Sequence, residues 1–212
     1  MNLQGLKINF LGDSITEGHG CSSAATCFAS KIAAEHGAIT RNYGIGGTRL
    51  ARQTKPSAEP RWDLDFLSRV PEMDPDADLI VVFGGTNDFG HGDAPFGAFT
   101  DRTADTFCGA LHELYTSLLT KYPHATLVVL TPLHRSSEAE PNKHGKVLKD
   151  YVDAIRKAAE YYSLPLLDLW ATYGVQPAVP VMMESYMPDG LHPNDAGHVI
   201  LTNKIAKFIE SL

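Results

Sequence analysis

Asn9-Phe10-Leu11-Gly12-Asp13-Ser14-Ile15-Thr16-Glu17-Gly18 is the stretch whose reading decides the fold. Leu6, Ile8, Phe10 and Leu11 lead into a Gly-Asp-Ser step, and Gly18 follows. Apolar residues running up to a glycine describe a buried strand over 6–11 that turns sharply at Gly12. A hydroxyl is then left at the strand's carboxyl end, where open α/β sheets bind their ligands. A serine there can act as a nucleophile if a base reaches it. The simpler reading is that Ser14 caps the next helix, since serine is a favoured N-cap. The stretch alone leaves both readings open.

Strand-like and helix-like segments alternate along the rest of the chain. Residues 24–36 read as a helix with Phe28, Ile32 and Ala33 on one face, closed by Gly37. Ile39 to Tyr43 reads as the second strand, and residues 63–70 as a short helix stopped by Pro71. Leu79-Ile80-Val81-Val82-Phe83 is a continuous apolar run ending in Gly84-Gly85, the pattern of a strand covered on both faces. Phe107, Leu111, Leu114, Leu118 and Tyr122 form a helical stripe over 101–122. Residues 126–130 read as the fourth strand, 145–162 as a helix and 164–169 as the fifth strand. A final helix starts at Asn194 or Asp195 and carries Leu201, Ile205, Phe208 and Leu212 inward. Five strands alternating with helices require a parallel sheet with right-handed crossovers. The expected fold is an α/β, three-layer α/β/α sandwich with a five-stranded parallel sheet in the flavodoxin-like order 2-1-3-4-5. That order sets the loops after strands one and three side by side.

The chain has 212 residues, enough for one core, so a single domain over 1–212 is expected. A formal net charge of -7 and the absence of basic runs argue against nucleic acid and membrane surfaces as partners. No window holds the roughly eighteen apolar residues of a membrane span. The N-terminal Met1-Asn2-Leu3-Gln4-Gly5 lacks the features of a signal peptide, so a cytoplasmic location is expected. Cys21, Cys27 and Cys108 match no zinc spacing and read as small packed thiols, and no metal site is expected.

Three further loops can converge on Ser14. Asn42-Tyr43-Gly44-Ile45-Gly46-Gly47-Thr48 follows strand two, and its glycines permit close approach to main-chain N–H groups. Gly84-Gly85-Thr86-Asn87-Asp88 follows strand three, and the Asn87 amide can meet a developing oxyanion. Each loop by itself is equally well read as an ordinary turn. Asp189-Gly190-Leu191-His192-Pro193-Asn194 lies near the end of the chain. Of nine histidines, His192 stands out because Asp189 is three residues away, outside any helical stripe. An acid-paired imidazole is what serine hydrolysis needs as its base.

These four ordered blocks, Gly12-Asp13-Ser14, Gly46-Gly47, Gly85-Thr86-Asn87-Asp88 and Asp189-x-x-His192, resemble those of the SGNH (GDSL-type) hydrolases. The resemblance runs from residue 8 to residue 198. It implies Ser14 as nucleophile, His192 as base and Asp189 as the acid that orients it. It also implies an oxyanion hole made by the Ser14 N–H, the Gly47 N–H and the Asn87 amide. Gly47 is taken over Gly46 by counting from Asn42 as the family pattern does. No metal or organic cofactor is required.

Asp13, Phe89 and Tyr186 are the expected substrate-binding residues, with pocket walls from 89–96, 132–145 and 170–188. The polar residues of these loops favour a short-chain ester, an acetyl ester of a carbohydrate or small metabolite. A lysophospholipase or thioesterase is the second enzyme reading, and a non-catalytic flavodoxin-like binding module the third. The expected partner is a small-molecule ester, and the sequence leaves a homo-oligomer open.

Overall fold

The computed structural model describes residues 1–212. Its centre is a parallel sheet of β1 (Lys7–Gly12), β2 (Ile39–Gly44), β3 (Leu79–Phe83), β4 (Thr126–Leu130) and β5 (Leu166–Leu167). The strand order is β2-β1-β3-β4-β5, as the alternation of elements predicts. Phe10 of β1 is paired with Asn42 on one side and Val81 on the other. In chain order the helices are α1 (Ser14–Glu17), α2 (Phe28–His36), α3 (Phe66–Arg69), α4 (Thr86–His91), α5 (Phe107–Lys121), α6 (Leu148–Tyr161), α7 (Leu169–Thr172), α8 (Pro180–Tyr186) and α9 (Asp195–Glu210).

Alternate side chains of a strand leave opposite faces of the sheet, so each face needs its own cover. Ile8, Phe10, Leu79, Val81, Phe83 and Leu130 join a core closed by Phe28 and Ile32 of α2 and Leu201, Ile205 and Ile209 of α9. Leu11, Ile80, Val82, Leu127 and Val129 join the opposite core, closed by Phe66 of α3, Leu111 and Leu114 of α5, and Tyr151 and Ile155 of α6. Each such side chain contributes roughly 1.5–3 kcal/mol when fully buried. The helices therefore sit on both faces, which is the expected three-layer arrangement.

Several boundaries differ from the sequence expectation, each for a local reason. The helix expected over 24–36 is broken at Cys27, whose backbone is extended between a 3-10 turn at Ala24–Thr26 and α2. The Cys27 thiol reaches the Thr16 carbonyl at 3.4 Å from that position. The helix expected over 63–70 is a 3-10 turn, Pro60–Asp63, and then α3, whose start Asp65 caps by accepting from Ser68 N at 2.8 Å. Thr106 likewise caps α5 and leaves residues 101–105 as loop. β5 has only two residues, not six.

Candidate active site

The loops that follow β1, β2 and β3 all leave the carboxyl edge of the sheet. Arg69, 7% exposed, ties this edge together: its guanidinium donates to the carbonyls of Gly12 and Tyr43 and to Thr48 Oγ1. α1 packs so closely on the end of β2 that a Cβ on Gly44 would lie 2.2 Å from Glu17 N.

Ser14 is the first residue of α1, and it is not the cap. Asp13 holds that role, its Oδ1 accepting from Ile15 N at 3.0 Å. The Ser14 hydroxyl is thereby free to lie 2.9 Å from His192 Nε2. His192 Nδ1 lies 2.6 Å from Asp189 Oδ2, and Asp189 Oδ1 accepts the backbone N–H groups of Leu191 and His192 at 2.8 and 2.7 Å. A carboxylate can only accept, so Nδ1 carries the ring proton and Nε2 is left to accept from Ser14. Partial burial alone would raise the Asp189 pKa. The hydrogen bonds from His192 and Leu191 outweigh it and hold the carboxyl below its usual range. Asn194 anchors this turn to α9, accepting from Gly197 N at 3.1 Å and donating to Ser185 O at 2.9 Å.

Gly47 has φ +78°, a left-handed backbone, and a Cβ there would lie 2.2 Å from the Trp62 ring. Both features require glycine. The Gly46 N–H is taken by Glu17 Oε2 at 2.6 Å, whereas the Gly47 N–H meets no protein acceptor. The Ser14 N–H, in the first turn of α1, has no intrahelical partner. Asn87 is buried and donates one amide hydrogen to Thr48 O at 3.0 Å, which leaves its other hydrogen unspent.

Of the three residues expected to bind substrate, none borders the cleft beside Ser14. That cleft has a volume of 310 Å³ and is lined by Ser14, His19, Gly46, Gly47, Arg61, Trp62, Asn87, His91, Leu191 and His192. Asp13 is 2% exposed and spends its carboxylate on the α1 cap, and its complete burial raises its pKa to about 7. Phe89 packs edge-on to Tyr151 in the core, ring centroids 5.9 Å apart. Tyr186 packs against the opposite core at the end of α8. The wall comes instead from His91, within the 89–96 stretch expected to form a pocket wall, and from three residues the sequence reading passed over: His19, Arg61 and Trp62. The available signal was a tryptophan beside an arginine in a segment with no periodicity.

A model of the GDSL-like lipase/acylhydrolase family matches residues 10–200. A GDSL lipase of Mycobacterium tuberculosis is 31% identical over 140 residues, which is 65% of this chain. The chain spans about half, 52%, of the length of that curated relative. A crystal structure of a Lactobacillus plantarum protein is 32% identical over 98% of each chain, with a TM-score of 0.84. A two-domain esterase active on acetylated mannans shares the fold at 21% identity and a TM-score of 0.61, over 98% of this chain and 49% of its own. With Ser14 on the step after β1 and the family pattern spanning every strand from Phe10 onward, this chain belongs to the GDSL-like lipase/acylhydrolase family.

Proposed function

We propose that the protein is a serine ester hydrolase acting on short acyl esters, with Ser14, His192 and Asp189 as its catalytic residues. The observation that carries this reading is the 2.9 Å contact between Ser14 Oγ and His192 Nε2, with Asp189 behind the ring. In this reading Ser14 Oγ attacks the ester carbonyl carbon while His192 Nε2 takes its proton. The N–H groups of Ser14 and Gly47 and the Asn87 amide meet the oxyanion that forms. The C–O bond to the alcohol then breaks, and His192 returns the proton to the departing oxygen. Water, giving a proton to His192, attacks the acyl-serine; the acyl–Oγ bond breaks, His192 returns the proton to Ser14 Oγ, and the acid is released. Asp189 stabilises the charged imidazole in both halves.

Two features support a small acyl group, an acetyl in the simplest case. The recess that shares Leu191 with the cleft, lined by Ile15, Phe83, Pro132 and Leu133 and also by Asp13, Thr86 and His134, has a volume of only 10 Å³, too small for an acyl chain. The cleft itself sets polar residues, among them His19, Arg61 and Asn87, beside the apolar surfaces of Trp62 and Leu191, a mixture that suits a carbohydrate or small metabolite as the alcohol. The structural neighbour active on acetylated mannans is consistent with this choice.

The test is hydrolysis of p-nitrophenyl esters from acetyl to lauroyl by the purified protein and by Ser14→Ala, with fluorophosphonate labelling alongside. Turnover should peak at acetyl or butyryl, and one serine should be labelled. Ser14→Ala should show neither. Turnover by Ser14→Ala equal to that of the wild type overturns the nucleophile. A peak at long chains points to the lysophospholipase or thioesterase reading instead.

A further inference from the structure

A second cavity, of 210 Å³, adjoins the 310 Å³ cleft, and Trp62 and His91 line both. Arg49 lines the second cavity with its side chain 2% exposed. Its Nη1 donates to His91 Nδ1 at 3.1 Å, and its Nη2 to Ser57 Oγ at 2.6 Å and Asp63 Oδ1 at 2.9 Å. Its Nε–H is closed off from solvent, whereas Nη1 carries a second N–H beyond the one given to His91. A buried N–H on a cation is unfavourable without an acceptor, and a ligand oxygen would satisfy it.

His91 offers a second donor. A guanidinium can only donate, so His91 Nδ1 accepts from Arg49 and the ring proton sits on Nε2. Burial first, then Arg49, lowers the His91 pKa to about 4, so the ring is neutral at ordinary pH. Lys55 adds a third donor to the lining, and the Asp93 carboxylate fixes that stretch by accepting from Thr54 N and Lys55 N at 2.7 and 3.0 Å. The cations are balanced: Arg49 pairs with Asp63, and Lys55 lies beside Asp93. A nearly neutral cavity of donors beside an indole suits a ligand that is uncharged, rich in acceptor oxygens and flat on one face. A pyranose ring has that build. An acyl chain would bury the Arg49 and His91 donors against carbon.

We propose that this cavity binds the alcohol half of the ester, and that this alcohol is a pyranose seated against Trp62 with its oxygens on Arg49 Nη1 and His91 Nε2. The assignment of an alcohol half rests on the esterase reading, whereas the cavity's preference for a pyranose does not. The two cavities together reach the volume of an ordinary ligand site, about 300–1,000 Å³. Trp62 packs over Gly47, so a sugar held on one side of it would present its ester oxygen to the other.

The test is calorimetric titration of Ser14→Ala with a panel of methyl pyranosides, with sodium acetate and inorganic phosphate as parallel arms. Saturable binding of at least one glycoside is expected, weakened about tenfold or more in Lys55→Ala and in His91→Phe. Binding of the anions alone overturns the proposal, as does glycoside binding that both substitutions leave unchanged. Hydrolysis of p-nitrophenyl acetate by the wild type is followed separately. Glycoside binding without any hydrolysis sinks the esterase reading and leaves the pyranose site standing. Hydrolysis without glycoside binding overturns the pyranose site and leaves the esterase standing.

Discussion

Gly46 gives its backbone N–H to Glu17 Oε2 at 2.6 Å. The same carboxylate accepts from Arg61 Nη2 at 2.6 Å through its other oxygen and lies 3.3 Å from His19 Nε2. One side chain, three residues after Ser14, thus settles which glycine of the loop keeps a free N–H and holds one wall of the cleft. Glu17 is a positioning residue in this arrangement. Glu17→Ala should lower kcat for p-nitrophenyl acetate by roughly 10–100-fold with little change in KM, because a misplacement of about 1 Å costs on that order. Glu17→Gln keeps an acceptor for Gly46 and should recover most of the loss. A kcat indifferent to Glu17→Ala would mean that the Gly47 loop holds its own shape.

Asn87 is the donor whose removal is cleanest to read. Its amide shares two hydrogens between Thr48 O and the cleft. Asn87→Ala should cut kcat by roughly 10²–10³, equivalent to about 2.7–4 kcal/mol, the usual effect of deleting one oxyanion donor. Single-turnover kinetics place the loss: it should fall on acyl-enzyme formation while KM stays near the wild-type value. A loss carried wholly by KM would assign Asn87 to ground-state binding.

The sheet was legible because β3 is apolar at every position and because three of the four chemical blocks directly follow a strand, the fourth, Asp189 to His192, following α8. The convergence of Ser14 and His192, 178 residues apart, needs in addition the turn between α8 and α9 that Asn194 anchors. The cleft wall was not legible. Phe89 reads as part of the loop after strand three, but it lies in α4, two residues beyond Asn87. A helix turns about 100° per residue, so Phe89 leaves the opposite side from Asn87 and enters the core. Asp88 between them is buried and accepts from Leu50 N and Ala51 N at 3.0 and 2.9 Å. It anchors the segment that carries Arg49, Arg61 and Trp62. No periodicity marks that segment, since its shape depends on bonds made across the fold.

Asp189 fixes the tautomer of His192, and an amide in its place can do so in the wrong sense. Asp189→Asn can donate to Nδ1, which moves the ring proton to Nε2 and removes the acceptor that Ser14 needs. Turnover should fall by up to roughly 10⁴ with the fold intact. The check is kcat alongside a circular dichroism melt. A small loss in kcat would mean that the backbone bonds to Leu191 and His192 are the main task of this carboxylate.

His198 should give the protein a pH-dependent stability. Its ring is fully buried, stacks on Phe28 at 5.8 Å and accepts from Phe28 N at 3.1 Å through Nδ1. Burial is the main cause that lowers its pKa to about 4, with the His19 backbone and Asp195 opposing and His192 adding to the drop. In the unfolded chain the same imidazole titrates near 6.5. Between these values the unfolded state binds the extra proton, so stability rises with pH there. The contribution is fully present above about pH 6.5 and is lost as pH falls to about 4. At about 1.36 kcal/mol per pH unit the whole effect is of the order of 3 kcal/mol. Urea unfolding of the wild type and of His198→Gln, compared at each pH, isolates it, because the carboxylates titrate in both proteins and cancel in the difference. The wild-type advantage should shrink by up to that amount between pH 7 and pH 4. A difference that stays level across the window would assign the acid sensitivity to other groups.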